Sequence, residues 1–256
     1  MGPHVSAVEY AITDRIGRIT LNRPEKMNAI TTELARELEH VLTELSHEPT
    51  VNVIVIRGAG QNFCAGGDVA EVERLKSAGP DTLRTLFDAF RRACDAIAAV
   101  DVPVIAAVEG VAMAGGFELM QAADIVIVSA DAKIADNHIN FGMIPGGGST
   151  QRLPRLIGRQ LALGLLLSGD RLTGLDAVRL GLAYRSFAPQ DFDEGVNQFV
   201  AQLAGRDRVA VTTIKKLVRQ PREQPLSQGL DGEISAVVAH ITRHGVDEFS
   251  RVGTPS

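Results

Sequence analysis

A carboxylate beside a glycine-rich turn is the part of this sequence best suited to chemistry. The short apolar run Val104–Val108 is followed by Ala114-Gly115-Gly116, which leads into a stretch with the composition of a helix start, and Glu118 lies just inside it. Glycines allow a ligand to approach the backbone closely, and the first N–H groups of a helix have no internal partner and carry the positive end of its dipole. Such a terminus is suited to holding an oxyanion, so an acid beside it predicts proton transfer.

A second turn of the same kind occurs earlier in the chain. Ala65-Gly66-Gly67-Asp68 follows the apolar run Val51–Ile56. If each turn donates one backbone N–H toward a common point, the pair forms an oxyanion hole. Either turn taken alone is equally well explained as a tight turn after a strand. Asp68 is also in position to cap the helix that follows it.

The elements that must position these turns alternate along the chain. The pattern predicts a hairpin over residues 8–21, a helix capped by Thr31 or Thr32, and a charged, exposed and mobile segment over 70–78. A single apolar helix is predicted over 157–167, and from residue 193 onward the pattern is helical. Strands alternating with helices, followed by helices alone, predict an α/β core with a helical C-terminal appendage.

Four motifs occur here in the order and spacing of the crotonase superfamily, the enoyl-CoA hydratase/isomerase family. They are Asn22-Arg23-Pro24, Phe63-x-Ala65-Gly66-x-Asp68, Gly115-Gly116-x-Glu118-Leu119 and Ile144-Pro145-Gly146-x-Gly148-x-x-Gln151-Arg152-Leu153. The chain resembles this family over residues 8–250. The four motifs together are far more specific than any one of them.

The resemblance implies a particular architecture. The expected fold is α/β, a crotonase-like spiral of ββα units with a helical C-terminal appendage. Residues 1–192 would form the spiral core, and residues 193–256 a helical region used in oligomerisation. The expected assembly is a homotrimer or a dimer of trimers.

The resemblance also implies a substrate and a site. The substrate would be an acyl-CoA thioester, with no cofactor bound permanently beyond the coenzyme A that the substrate carries. Its carbonyl oxygen would lie between the N–H groups of Gly67 and Gly115, with Glu118 as acid and base and Gly146 helping to hold a catalytic water. The residues matching the family's CoA-binding positions are Pro24, Lys26, Met27, Ala65, Gly66 and Asp68.

The chain departs from the family at one catalytic position. Hydratases of the family hold a water between two glutamates, and the position of the second is occupied by His138. This puts simple hydration by paired carboxylates in doubt, although histidine titrates near neutral pH and can act as acid or base. His138 is alternatively a wall of the pocket. Asp136 and Asn140 flank it as candidates for orienting the ring.

Three functions therefore stay open. The first is an enzyme that hydrates an enoyl-CoA or shifts its double bond, with Glu118 moving the proton. The second is a crotonase-like hydrolase or carbon–carbon lyase in which His138 activates water or the acyl group. The third is a protein that binds CoA without turnover.

Composition excludes several other classes. With 256 residues and 45% hydrophobic content, the chain can bury a large core. A net charge of -5 argues against nucleic acid as a partner. The absence of a long apolar run argues against a membrane span. Two cysteines without a Cys-x-x-Cys motif give neither a disulfide framework nor a metal site, which favours a reducing compartment. The first residues lack the apolar core of a signal peptide. Together these features predict a cytoplasmic protein.

Overall fold

The computed structural model describes residues 6–219 and 225–243, and its central layer is a six-stranded sheet. The strands are β1 (Val8–Thr13), β2 (Ile16–Leu21), β3 (Val53–Gly58), β4 (Val104–Val108), β5 (Val111–Met113), β6 (Ile125–Ser129), β7 (Lys133–Ala135) and β8 (Arg185–Phe187). The order in the large sheet is β1-β2-β3-β4-β6-β8. β1 and β2 form the predicted antiparallel hairpin, and the other pairs are parallel. β5 and β7 form a separate two-stranded parallel sheet.

Helices connect these strands and follow them. They are α1 (Thr32–His47), α2 (Val69–Ser77), α3 (Pro80–Ala99), α4 (Gly115–Ala122), α5 (Ser149–Ile157), α6 (Arg159–Ser168), α7 (Gly174–Arg179), α8 (Phe192–Ala204), α9 (Arg208–Arg219) and α10 (Leu226–Arg243). Thr31 caps α1 by accepting a hydrogen bond from the Leu34 N–H at 3.1 Å. The helix start that the sequence predicts is thus confirmed.

Strand β3 shows how the sheet is buried on both faces. Ile54 and Ile56 belong to the large core that α1 and α3 cover, whereas Val53 and Val55 belong to a second cluster with α8 on the other face. Successive side chains of a strand point to opposite faces, so a strand covered on both sides needs apolar residues throughout. This explains why β3 is a continuous apolar run.

The charged segment predicted to be exposed forms α2, the helix that the sequence places after Asp68, and most of its residues are exposed. Asp68 caps it by accepting from the Glu71 N–H at 3.1 Å, and Leu75 is buried. The Glu71 carboxylate in turn accepts hydrogen bonds from the backbone N–H and the hydroxyl of Thr32 at 3.1 and 2.7 Å. The charges of this segment therefore include a tertiary link to the start of α1.

Two other local features differ from the prediction. The helix expected over 157–167 appears as α6 and begins two residues later, at Arg159, because Gly158, at a φ of +84°, separates it from α5, which was not predicted. A positive φ is compatible with glycine and incompatible with a continuing right-handed helix. β5 was not predicted, since three residues are too few to show a period.

The chain divides into two compact units, one ending at Gly205 and the other beginning at Arg206. The sequence places the boundary at 192/193, whereas α8 contributes Phe192, Val196 and Val200 to the core beneath the sheet. The role of the C-terminal helices in oligomerisation stays a prediction. Among the described residues, no helix combines the length and apolar character needed to cross a membrane.

Candidate active site

The two glycine-rich turns lie side by side. The Cys64 N–H donates to the carbonyl of Val111 at 2.9 Å, and the Met113 N–H donates back to the Cys64 carbonyl at 3.0 Å. A Cβ atom added to Gly115 would lie 3.6 Å from the backbone nitrogen of Gly67. The backbones of Gly67 and Gly115 therefore lie next to each other.

The backbone orientation is set at each turn. Around Gly67, the Ile30 N–H donates to the Gly66 carbonyl at 2.7 Å and the Asp68 N–H donates to the Ile30 carbonyl at 2.9 Å. In this parallel pairing the N–H of Gly67 points away from Ile30. At the other turn, Ala114 adopts φ 48° and ψ −117°, a strained conformation for a residue with a side chain. That conformation fixes the plane of the peptide that carries the Gly115 N–H.

Glycine is required here by close packing. A Cβ on Gly115 would lie 2.8 Å from Cδ1 of Ile30, and one on Gly116 would overlap the carbonyl oxygen of Cys64. Gly66 has a φ of +108°, and its Cβ would lie 2.9 Å from that of Ala114. Gly66, Gly115 and Gly116 therefore leave no room for a side chain, and backbone groups lie close together at this point.

Glu118, in the first turn of α4, is buried. Its Oε1 accepts hydrogen bonds from the N–H groups of Gly147 and Ser149 at 2.7 and 3.1 Å. Its Oε2 lies 4.0 Å from Nε2 of His138. One carboxylate oxygen is therefore fixed by the backbone, and the other faces the histidine.

His138 is held by Asp136. Its Nδ1 lies 2.7 Å from Oδ1 of Asp136, and both side chains are largely buried. Asn140, the other flanking candidate, instead donates to the carbonyl of Gly169 at 3.4 Å. Of the two flanking residues, Asp136 alone contacts the ring.

The pKa values of both groups are raised. Burial raises the pKa of Glu118, against the opposing effects of the Ser149 N–H, the His138 charge and the Gly147 N–H. For His138, burial lowers the pKa, but the hydrogen bond from the ring to Asp136 and the charges of Asp136 and Glu118 outweigh it. Both groups therefore hold their protons more tightly than they would in water.

The loop that precedes α5 closes over Glu118. A Cβ on Gly147 would lie 2.8 Å from Oε2 of Glu118, and one on Gly146 would lie 2.6 Å from the ring of Phe87. Nη1 of Arg152 donates to the Gly147 carbonyl at 2.5 Å. The sequence analysis missed the roles of Gly147, Phe87 and Arg152, although three consecutive glycines before a helix signal a close approach.

The residues predicted to contact CoA lie on two segments that a backbone hydrogen bond joins, and Gly66 and Asp68 among them are buried. Pro24–Lys26 is a single 3-10 turn, followed by Met27 at φ 47°, whose side chain is 45% exposed. The Ala65 N–H donates to the Met27 carbonyl at 2.9 Å, which joins this loop to the glycine-rich turn. Asn28, which sequence reasoning passed over, is fully buried and donates to the carbonyls of Ala59 and Asn62.

Asp68 and Cys64 have structural surroundings. The Asp68 carboxylate pairs with Arg23 at 2.9 Å besides capping α2. Burial opposes ionisation of Asp68, but hydrogen bonds from the Glu71 N–H and the Arg23 guanidinium, together with the charges of Arg23 and Lys26, hold its pKa below the usual range. Burial raises the pKa of the Cys64 thiol to about 12, so it is no thiolate nucleophile near neutral pH.

The chain is similar to known proteins in both sequence and structure. The sequence profile of the enoyl-CoA hydratase/isomerase family matches residues 11–251. A probable enoyl-CoA hydratase of Mycobacterium leprae is 36% identical over 84% of this chain and 82% of its own length. The crystal structure of an enoyl-CoA hydratase from Polaromonas is 28% identical, with a TM-score of 0.90 over 97% of this chain and 98% of that chain. A candidate enoyl-CoA hydratase of Thermobifida fusca in complex with CoA is 28% identical, with a TM-score of 0.84 over 93% of this chain and 94% of that chain.

The chain belongs to the enoyl-CoA hydratase/isomerase family. The crotonase-like α/β fold expected from the four motifs is confirmed. The protein is therefore an enoyl-CoA hydratase/isomerase-like enzyme.

Proposed function

We propose that this enzyme transfers protons on an acyl-CoA thioester, hydrating an enoyl-CoA or shifting its double bond. The observation that carries the proposal is that Oε2 of the buried Glu118, on the helix that begins at the Gly115 turn, faces Nε2 of His138. The thioester oxygen lies between the N–H groups of Gly67 and Gly115. The acyl chain then extends toward Glu118.

The oxyanion hole makes the proton transfer accessible. Two N–H groups that stabilise the charge on the thioester oxygen lower the energy of the enolate formed when the acyl chain gains or loses a substituent. Each such donor typically contributes about 10²–10³ in rate. Gly146 is proposed to help hold the water that Glu118 activates.

The CoA moiety supplies binding energy away from the reacting atoms. We assign its contacts to Pro24, Lys26, Met27, Ala65, Gly66 and Asp68. The Ala65–Met27 hydrogen bond, which joins the two segments, supports this assignment. The complex of the Thermobifida fusca relative with CoA supports a substrate that carries CoA. Remote binding of this kind can position the acyl group for reaction.

A turnover screen across enoyl-CoA substrates tests the proposal. The chain is incubated with 2-enoyl- and 3-enoyl-CoA esters of several chain lengths, and products are identified by mass and chromatographic comparison with standards. A 3-hydroxyacyl-CoA product indicates hydration, and an isomeric enoyl-CoA indicates a double-bond shift. Failure of every substrate would contradict the proposal, and CoA binding measured without product would then indicate a binding protein.

The His138–Asp136 pair favours a second candidate function. A histidine oriented by a carboxylate can activate water against a thioester or assist carbon–carbon cleavage. Saturated acyl-CoA and β-keto acyl-CoA panels test this candidate. Release of free CoA, measured with a thiol reagent, indicates hydrolysis, and a shortened acyl-CoA indicates cleavage.

We further propose that the enzyme works as a homotrimer or a dimer of trimers in the cytoplasm. Exposed apolar side chains on α10 support the assembly, among them Leu230, Ile234 and Val238 at 49%, 60% and 55% exposure. Apolar surface of this extent marks interaction sites.

A further inference from the structure

Three side chains are neighbours in the buried site: Asp136 contacts His138, and His138 faces Glu118. Nδ1 of His138 contacts Asp136 at 2.7 Å, and its Nε2 faces Glu118 at 4.0 Å. We propose that Asp136 is a positioning residue, which fixes the His138 ring so that Nε2 serves as the proton donor opposite the base Glu118. This inference rests on the proposed function and gives the substituted histidine a defined role.

The donor assignment follows from the chemistry of the contact. An ionised carboxylate only accepts hydrogen bonds, so the nitrogen 2.7 Å from Oδ1 of Asp136 carries a proton. The tautomer is thus assigned from the hydrogen-bond partner. In the neutral ring Nε2 carries no proton, and in the imidazolium it carries one and is the second donor. Proton exchange with the reaction therefore occurs at Nε2 alone.

The charges around the ring favour the imidazolium. The groups whose charges act on it are Asp136, from the loop after β7, and Glu118, from α4, and both are negative when ionised. Oδ2 of Asp136 is buried and, among the described residues, has no hydrogen-bond partner. A buried carboxylate with one oxygen unsatisfied is costly unless a positive charge lies beside it. The protonated ring supplies that charge.

Glu118 and His138 are too far apart for a direct hydrogen bond and close enough to share a third group. The separation of 4.0 Å between Oε2 and Nε2 exceeds the length of a hydrogen bond, which is about 2.8 Å for these atom types. A water to one side of the line joining the two atoms can lie within hydrogen-bond distance of both. The pair is thus arranged to act on a third group.

The proton balance of hydration follows from this arrangement. Glu118 takes a proton from water while the water oxygen bonds to Cβ of the enoyl group. The π electrons of the double bond move to the thioester oxygen. Nε2 of His138 then donates its proton to Cα as the enolate collapses. Glu118 is left protonated and His138 neutral, and the proton returns from one to the other through the next water. One water is consumed, and both side chains end as they began.

Nuclear magnetic resonance of the unliganded protein tests the role of Asp136 directly. The ring nitrogens of His138 are assigned by comparing the wild type with His138→Gln in uniformly ¹⁵N-labelled protein. The expected result is a proton on Nδ1 in the neutral form and a pKa above the ordinary value of 6.5. A proton on Nε2 in the neutral form, or a pKa at or below 6.5, would overturn the proposal.

Two substitutions separate orientation from charge. Asp136→Asn keeps an oxygen that accepts from Nδ1 but removes the charge, so the pKa of His138 should fall by about one unit or more. Asp136→Ala removes both, and kcat should fall further, by about tenfold or more relative to Asp136→Asn, with KM little changed. The matched control is Asp101→Asn, on an exposed turn before β4, which should change neither quantity.

The measurements also distinguish failure of this inference from failure of the proposed function. The ring pKa and tautomer are measured without substrate, so they test the Asp136–His138 pair even if no acyl-CoA is turned over. If turnover occurs but Asp136→Asn leaves both the ring pKa and the pH profile unchanged, the positioning role is wrong. If Asp136→Asn does not fold, the wild-type tautomer and pKa decide.

Discussion

The backbone N–H of Gly147 donates to Oε1 of Glu118 at 2.7 Å, so the carboxylate that we propose as the base is held by a loop distant in sequence. The Ser149 N–H donates to the same oxygen, which leaves Oε2 to face His138. Because Oε1 accepts these two hydrogen bonds, the carboxylate cannot rotate freely. Oε2, the oxygen proposed to react, therefore faces the site before substrate binds.

Glu118→Gln should abolish most of the turnover. The amide oxygen can still accept from the two N–H groups, but the amide cannot take a proton. We expect kcat to fall by about 10²-fold or more, with little change in CoA affinity. The control is Glu109→Gln, another carboxyl whose pKa burial raises, located on the turn after β4. Near-full activity of Glu118→Gln on the best substrate would remove Glu118 from the mechanism.

Gly115→Ala should block the oxyanion hole. The new methyl group would lie 2.8 Å from Ile30 and 3.6 Å from the Gly67 nitrogen, where the thioester oxygen must enter. We expect kcat/KM to fall by about 10²-fold or more. Gly164→Ala, at a position on α6 with nothing within 4 Å of the added atom, is the control and should stabilise the fold by about 0.5–1 kcal/mol. Retention of wild-type kcat/KM by Gly115→Ala would place the oxyanion elsewhere.

The pH profile of turnover should be bell-shaped, with both limbs displaced upward. Glu118 must lose its proton to act as base, and its raised pKa puts the acid limb above the ordinary value of 4.5. His138 must keep its proton to act as acid, and its raised pKa puts the basic limb above 6.5. Initial rates across pH 4–10 measure both limbs. A basic limb unchanged in His138→Gln would show that another group sets it.

Crotonyl-CoA should be hydrated poorly by the wild type compared with its best substrate. The protonated His138 ring presents a single N–H donor to the water that Glu118 also holds, whereas a carboxylate presents several lone pairs that can accept hydrogen bonds from that water. His138→Ala should cost about 10²-fold on the native reaction. His138→Glu combined with Asp136→Asn, which avoids two adjacent carboxylates, should raise crotonyl-CoA hydration above that of Asp136→Asn alone. Efficient hydration of crotonyl-CoA by the wild type would contradict this prediction.

The assembly should depend on the apolar face of α10. Val238→Glu places a charge on a side chain that is 55% exposed in the isolated chain, and we expect the oligomer to dissociate. Ser235→Glu, an exposed position of the same helix, is the control. Light scattering at micromolar concentration measures the mass of each. A monomeric wild type would exclude the proposed trimer.

Much of the fold can be predicted from the sequence, because its elements carry strong local patterns. The hairpin of β1 and β2, the apolar run of β3 and the cap at Thr31 each appear in the structure. The helix after Asp68 and the exposure of its charged residues follow from the sequence, whereas the contact of Glu71 with Thr32 is long-range and leaves no local pattern. A charged surface pattern alone does not show which charges have partners.

Of the candidate site, too, only the residues with local sequence signals can be predicted. Glu118 and the glycines of the two turns can be located from their motifs, since tandem glycines and a helix start are local features. Asp136 could be proposed as a partner of His138 but not chosen over Asn140, because both flank it and only tertiary structure separates them. The contact of Phe87 with the loop at Gly146 has no local signal at all.

The crowding around Gly115 and Gly116 also determines where new substrate preferences can evolve. Positions without room for a methyl group have almost no mutational freedom, so a randomised library that includes them consists mostly of inactive clones. Two side chains lie beside this region without being part of the glycine turns: Val72, 3.8 Å from a Cβ placed on Gly67, and Phe87, against Gly146. Directed evolution of the acyl specificity should therefore begin at these two positions, with the glycine turns kept constant.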